Sequence, residues 1–185
     1  MHKTSLHQMV RRSSLLHAAW RKVRQNGRDS LAKETRDAVD LFDADAIRSL
    51  RRIESRLRRG TFQFVPQRGV LQRRPGKKPR PLVVGAIENR IVQRAILDVL
   101  HDVPFICEVL ETPTSFGAIP GPGGGREVAI AFVLKAMAGG ANFYLRSDIE
   151  GFFTKIPRPV VLQKMREHID DEEFIALFTK ATETN

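Results

Sequence analysis

The sequence predicts an α+β chain, mostly helical, with one basic β-hairpin and one short sheet further along. Three observations predict it. Apolar residues recur at helical spacing in several separate stretches, a Pro-Gly pair joins two extended basic arms, and residues 143–149 alternate as a strand does. The 185 residues suffice for one ordinary domain, and 42% hydrophobic content is enough for a core but below that of a membrane protein. No apolar run approaches the roughly 20 residues that cross a bilayer, and the opening MHKTSLHQMVRRSS lacks a secretory stretch. A cytoplasmic protein with no membrane partner is expected. The single Cys107 has no cysteine to pair with and is expected as a small buried apolar residue.

In RSSLLHAAWRKVRQNG, Leu15, Leu16, Ala19, Trp20 and Val23 fall on one helical face, with Gly27 near the stop. A second helix carries the stripe Ile47, Leu50, Ile53 and Leu57. Asp43 or Asp45 is placed to cap it, and Gly60 suits the position after its end. Arg48, Arg51, Arg52, Arg56, Arg58 and Arg59 crowd its other faces against one acid, Glu54, so most are expected unpaired within the helix. In TFQFVPQRGVLQRRPGKKPRPLVV, Phe62, Phe64, Val70 and Leu71 suit extended segments, and Pro75-Gly76 favours a turn with Pro second and Gly third. The hairpin would carry Arg68, Arg73, Arg74, Lys77, Lys78 and Arg80 with no acid among them.

Next, AIENRIVQRAILDVL repeats Ile87, Ile91, Ala95, Ile96, Val99 and Leu100 at helical spacing, a helix packed in the core, with Arg90, Gln93 and Arg94 off the stripe. A Pro/Gly-rich loop then leads into an apolar helix from about Arg126 to Ala138. That loop lacks the Lys-Ser/Thr of a P-loop, and no clear strand precedes it. In FYLRSDIEGFFTKIP, period two puts Phe143, Leu145 and Ile149 on one face, to pack, and Tyr144, Arg146 and Asp148 on the other. Two further helices are expected, VVLQKMREHI and EEFIALFTKA. Asp170 and Asp171 between them read as a helix N-terminus and not as a metal pair. The five histidines show no ligand spacing.

Charge gives the first functional signal. Residues 1–100 hold 23 Lys/Arg against 9 Asp/Glu, net +14, while residues 101–185 hold 8 against 12, net −4. A basic half of this kind suits a polyanion, since each neutralised phosphate releases counterion. A solvated basic surface fits charge alone equally well.

In order, RRPGKKPRPL, NRIVQRAILDVL, TSFGAIPG and LRSDIEGFFTKIP resemble successive blocks of the reverse transcriptases of bacterial group II introns and retrons. They are similar to a basic finger hairpin, the Arg-Ile-Val-Gln helix, the Ser-aromatic-Gly…Pro-Gly loop and the first catalytic motif of the palm. The resemblance runs clearly over residues 70–165, and AWRKVRQNG and LRRGTFQFVP resemble the segments upstream. It implies right-hand polymerase fingers plus an incomplete palm: an N-terminal helical region at 1–60, fingers at 61–140 and the first part of the palm at 141–185.

It also implies roles. Asp148 matches the first metal-binding, catalytic aspartate, with the Ile149 carbonyl beside it. Arg74 and Arg80 match residues that hold the incoming deoxynucleotide triphosphate, lysine being commoner at the first. Phe153 matches the aromatic that closes off the sugar 2′ position. Arg73, Lys77, Lys78, Arg90, Gln93 and Arg94 are expected on RNA template or RNA/DNA hybrid. Ile119 stands where many members carry arginine.

Two Mg²⁺ ions are the implied cofactor, roughly 3.5–4 Å apart in such sites. Only 37 residues follow Asp148, and none matches the family's second metal motif, aromatic-x-Asp-Asp. The expectation is therefore the N-terminal half of a split RNA-directed DNA polymerase, inactive alone, whose second carboxylate set and thumb come from a separate chain. The alternatives are a truncated inactive fragment and a non-catalytic RNA-binding module. The resemblance permits service in mobility or in antiviral defence.

Overall fold

The computed structural model describes residues 5–110, 112, 114–117, 123–149 and 151–183, and at residues 70, 72–74, 77, 78, 80–82, 153 and 154 the backbone alone. In chain order the elements are α1 (Leu6–Val10), α2 (Ser13–Arg28), α3 (Lys33–Asp43), α4 (Ala46–Arg58), β1 (Arg68–Arg74), β2 (Lys77–Val84) and α5 (Ile87–Leu100). They continue with α6 (Pro104–Leu110), α7 (Arg126–Ala138), α8 (Phe152–Lys155), α9 (Arg158–His168) and α10 (Glu172–Thr182). The class is α+β, mostly helical, and the one sheet among the described residues is the antiparallel β1–β2 pair. Two compact units form, Met1–Val99 with Ile169–Asn185, and Leu100–His168.

The first unit is a helical core. The apolar stripes expected of α2, α4 and α5 face inward: Leu16, Ala19, Trp20 and Val23, then Leu50, Ile53 and Leu57, then Ile91, Val92, Ala95, Ile96 and Val99 are all buried. Phe174, Ile175 and Leu177 of α10 complete it. Ile47 belongs to the first turn of α4, outside this packing, and is 62% exposed. Trp20 meets Phe42 of α3 with ring centroids 4.5 Å apart. Gly27 lies near the stop of α2 as expected, buried in its last turn, and a methyl there would collide with Val39 of α3.

Helix ends follow local chemistry. Past α4, Gly60 has φ +66°, the Gly60 N–H donates to the Leu57 carbonyl and the Thr61 N–H to the Arg56 carbonyl. This is a Schellman motif, which glycine makes without steric cost. Asp45 takes the expected N-cap position of α4, but neither aspartate's carboxylate accepts a hydrogen bond from the helix amides. Asp45 accepts instead from Arg48 at 2.6 Å, and Asp43 pairs with Arg24 at 2.8 Å and Arg28 at 3.0 Å. Flexible guanidinium forks outcompete the amides for these carboxylates.

The expected hairpin forms. Its register pairs Arg68 with Val84, Val70 with Leu82 and Gln72 with Arg80, and Arg74 pairs with Lys77 across a two-residue loop. Gly76 at φ +68° supplies the left-handed third position the Pro-Gly turn needs. Between the last two pairs, Lys78 and Pro79 together oppose Arg73, a bulge beside a proline that cannot donate to the ladder. Residues 61–67 precede it without regular structure, and Phe62 there is buried, edge-on to Phe64 at 5.1 Å.

In the second unit α7 has the expected bounds and ends on another Schellman pair, with Gly140 at φ +97°. Pro159 lies in the first turn of α9, where its missing N–H costs nothing. Cys107 is only half-buried, its Sγ donating to the His101 carbonyl at 2.9 Å, which corrects the buried apolar reading: a thiol near a free carbonyl makes the weak bond. The second short sheet is also corrected. Residues 141–149 form no strand, and Phe143, Tyr144 and Leu145 are 97%, 93% and 93% exposed, so both expected faces are open. A strand is held by ladder bonds to a neighbour, and no described segment supplies one here.

Candidate nucleic-acid interface

The hairpin gathers one cationic group by its backbone register. Arg73, Arg74, Lys77, Lys78 and Arg80 all fall within the paired strands around the Pro75-Gly76 turn, and their side chains lie outside what the structure describes. Ile119 also lies outside the described residues.

Helix α4 presents a second basic face, and half of its arginines are committed to acids. Arg48 is paired to Asp45, and Arg58 to Glu54 at 2.6 Å. Arg56 reaches Glu88 of α5 at 2.9 Å and lies 5.0 Å from the Phe62 ring centroid, which packs and neutralises it together. Arg51, Arg52 and Arg59 are exposed and make no such bond among the described residues. Arg11 and Arg12, at the junction of α1 and α2, line a concavity of about 400 Å³ with Arg58 and Gln8.

Helix α5 sorts its three expected nucleic-acid residues. Arg94 pairs with Asp98 one turn on at 2.8 Å, and Lys22 of α2 meets the same carboxylate oxygen at 2.9 Å. Gln93 donates its side-chain amide to the Ala181 carbonyl at 2.8 Å, tying α5 to α10. Arg90 alone has no hydrogen bond or acid among the described residues. It is half-buried, and burial pushes its guanidinium below the ordinary value. Asn89, just before Arg90, is a functional residue that the sequence reading missed, although a polar residue beside an apolar stripe is the visible signal. Fully buried, it accepts from the Val65 N–H at 3.0 Å and donates to the Val65 carbonyl at 2.7 Å, which fixes the chain entering the hairpin.

In the second unit, the Asp148 carboxylate is exposed and makes no hydrogen bond or ion pair among the described residues. The Ile149 carbonyl accepts the Phe152 N–H at 3.3 Å, and Gly151 at φ +63° turns the chain into α8. Phe153 follows in that helix, with its side chain outside the described part. Asp148 and Ile149 are hard oxygen donors of the kind Mg²⁺ takes, yet they cannot fill its octahedral shell. No group of three or more His, Cys, Asp or Glu that could hold a metal occurs among the described residues.

Asp171 has a structural task. Its Oδ1 accepts the Phe174 N–H at 2.9 Å and caps α10, while its Oδ2 accepts the Ser5 hydroxyl at 2.7 Å and the His7 N–H at 3.0 Å and so caps α1 as well. Burial alone would raise its pKa; the bonds from His7, Phe174 and Ser5 outweigh this and hold it below the ordinary carboxylate value.

No family model matches the chain. It is similar to two fungal proteins. The putative COX1/OXI3 intron 1 protein of Saccharomyces cerevisiae is 26% identical over 145 residues, 77% of this chain and 16% of that protein. The uncharacterized 91 kDa protein in cob intron of Schizosaccharomyces pombe is 28% identical over 142 residues, 77% of this chain and 17% of that protein. The chain therefore spans about a sixth of the length of these relatives, and its likeness is to proteins of fungal introns at low identity.

Proposed function

We propose that this chain is the fingers and first palm segment of an RNA-directed DNA polymerase, and that it works with a separate C-terminal chain. The observation that carries the reading is the order of the four sequence blocks, with the basic hairpin formed where the first block requires it. Likeness to two intron proteins favours the intron side of the resemblance over the retron side. The basic hairpin, the free arginines of α4 and Arg90 hold the template or hybrid backbone through charge-assisted bonds.

Arg74 and Arg80 hold the incoming deoxynucleotide's triphosphate, and Phe153 closes off the sugar 2′ position. Asp148 and the Ile149 carbonyl are the residues of this chain that would hold Mg²⁺. Bound there, the ions would supply stabilisation of the attacking and leaving oxygens in phosphoryl transfer. The partner supplies the remaining carboxylates, in an aromatic-x-Asp-Asp motif, and the thumb. The apolar surface of the second unit supports such a partner, since Phe143, Leu145 and Ile149 are exposed on the segment that leads to and past Asp148.

Primer extension on an RNA template tests this, using the chain alone, the chain mixed with a C-terminal chain carrying the motif, and an Asp148→Ala control. Synthesis is expected only in the mixture and lost in the control. Synthesis by the chain alone, or by the Asp148→Ala mixture, overturns it. A second reading, a non-catalytic RNA-binding module, is favoured because no group of three or more metal donors gathers around Asp148 among the described residues. It predicts RNA binding that is indifferent to Mg²⁺ and to Asp148→Ala, with no synthesis in any mixture.

A further inference from the structure

Where the hairpin leaves the helical core, a concavity of about 360 Å³ opens among the end of α2, the start of α3, the roots of β1 and β2 and the first turns of α5. That volume falls within the roughly 300–1,000 Å³ of small-ligand pockets. Arg90 lies on its lining, together with Asn26, Ser30, Thr35 and Gln67. No acid does. Glu88, two positions before Arg90 on α5, is already paired with Arg56. The side chains of Asn26, Thr35 and Gln67 make no hydrogen bond among the described residues, and the Ser30 hydroxyl only accepts one, from the Ala32 N–H at 3.2 Å. Among the described residues the pocket therefore gathers one uncompensated, partly desolvated cation and four neutral donor groups, from α2, α3, α5 and two connecting segments.

Such a set asks for an anion. A half-buried guanidinium without a partner forgoes the hydration of an exposed one and gains no ion pair in return. A carboxylate would satisfy the fork with its two oxygens and leave the surrounding donors idle. A tetrahedral phosphate offers oxygens to the fork and to the amides and hydroxyls together.

The pocket's wall continues into the hairpin, since Gln67 directly precedes β1 and its Arg68. A polyphosphate strand lying along the cationic hairpin passes this opening at the hairpin's root. We infer that the Arg90 pocket is a phosphate site, and that the phosphate it takes belongs to the backbone of the nucleic-acid strand held by the hairpin. The second half of this inference rests on the nucleic-acid reading above; the first does not.

The test compares thermal melting of the full chain in inorganic phosphate and in chloride at equal ionic strength, for wild type, Arg90→Gln and the exposed control Arg21→Gln. Alongside it, the salt dependence of binding to a labelled single-stranded RNA is measured. Wild type and Arg21→Gln should melt higher in phosphate than in chloride, with Arg90→Gln losing that difference. Arg90→Gln should also lower the log–log salt slope of RNA binding by about 1. Should Arg90→Gln fail to fold, Asn26→Asp serves instead: its carboxylate on the same lining would occupy Arg90 and abolish the phosphate effect.

A phosphate effect equal in wild type and Arg90→Gln overturns the site. Loss of the effect with an unchanged RNA slope keeps the site and assigns it to free phosphate. Loss of both while primer extension fails in every mixture keeps this inference and removes the polymerase reading.

Discussion

The two units of the molecule differ in how they treat apolar side chains. The first buries Leu16, Ile53, Leu57, Ile91, Val99 and Phe174 almost completely, from four helices. The second has a helix, α7, with no buried residue, although Ile130, Phe132, Val133, Leu134 and Met137 give it apolar side chains all around. A helix apolar on every side is ordinarily a buried one, and contiguous apolar surface of that extent ordinarily marks an interaction site. The difference teaches that the first unit's shape is set by contacts within the described residues. The second unit leaves the apolar side chains of α7 uncovered by the described residues.

The largest test of that contrast is Phe174→Ala. Phe174 is fully buried in the first unit, and removing its ring should cost about 3–5 kcal/mol through lost transfer energy and an unfilled cavity. Urea unfolding at neutral pH measures it. A cost under about 1 kcal/mol would mean that this core is loosely packed and the contrast false.

A smaller effect is expected at the helix junction. Asp171→Asn weakens one carboxylate that caps two helices, at a cost of about 1 kcal/mol near pH 7. Its folded-state pKa is depressed, so its stabilisation is complete above the unfolded carboxylate's ordinary value, about 3.9, and disappears as pH falls through the lower folded value. The difference between wild type and Asp171→Asn should therefore be constant from neutral pH down to about 5 and shrink below about 4. Unfolding curves across that range measure it. A difference that grows on acidification would show that the carboxylate is not the ionised acceptor described.

These same residues show what sequence alone could carry. The α2, α4 and α5 stripes, the Pro75-Gly76 turn and the bounds of α7 were legible because each depends on residues a few positions apart. The N-cap role of Asp171 was legible for the same reason, from the acids that follow it. Its bonds to Ser5 and His7 were not, because they join positions 166 and 164 residues apart. The short α1 draws two of its anchors from that distant carboxylate, and α3 buries only Val39, so neither announces itself by periodicity.

At the site, residue types and order were legible while partnership was not. Glu88 neutralises Arg56 from 32 positions away, and Asp98 engages Arg94 and Lys22 together, so which arginines stay free is decided by packing. Arg90 could not be told from Arg94 by spacing.

The smallest effect on stability is expected in the second unit and sharpens the contrast most. Phe143 and Leu145 are exposed to 97% and 93%, so Phe143→Ser with Leu145→Ser removes almost no apolar contact from the chain as it stands. Exposed substitutions of this kind ordinarily change stability by less than about 0.5 kcal/mol, against several for Phe174→Ala. Their effect should appear in association instead. Light scattering at high protein concentration should fall, because the apolar patch that drives self-association is broken. Should the double variant cost more than about 1 kcal/mol in urea unfolding, residues 143–149 are packed within this chain. Unchanged stability with reduced association would show that residues 143–149 meet another polypeptide surface, as the proposed palm partner requires.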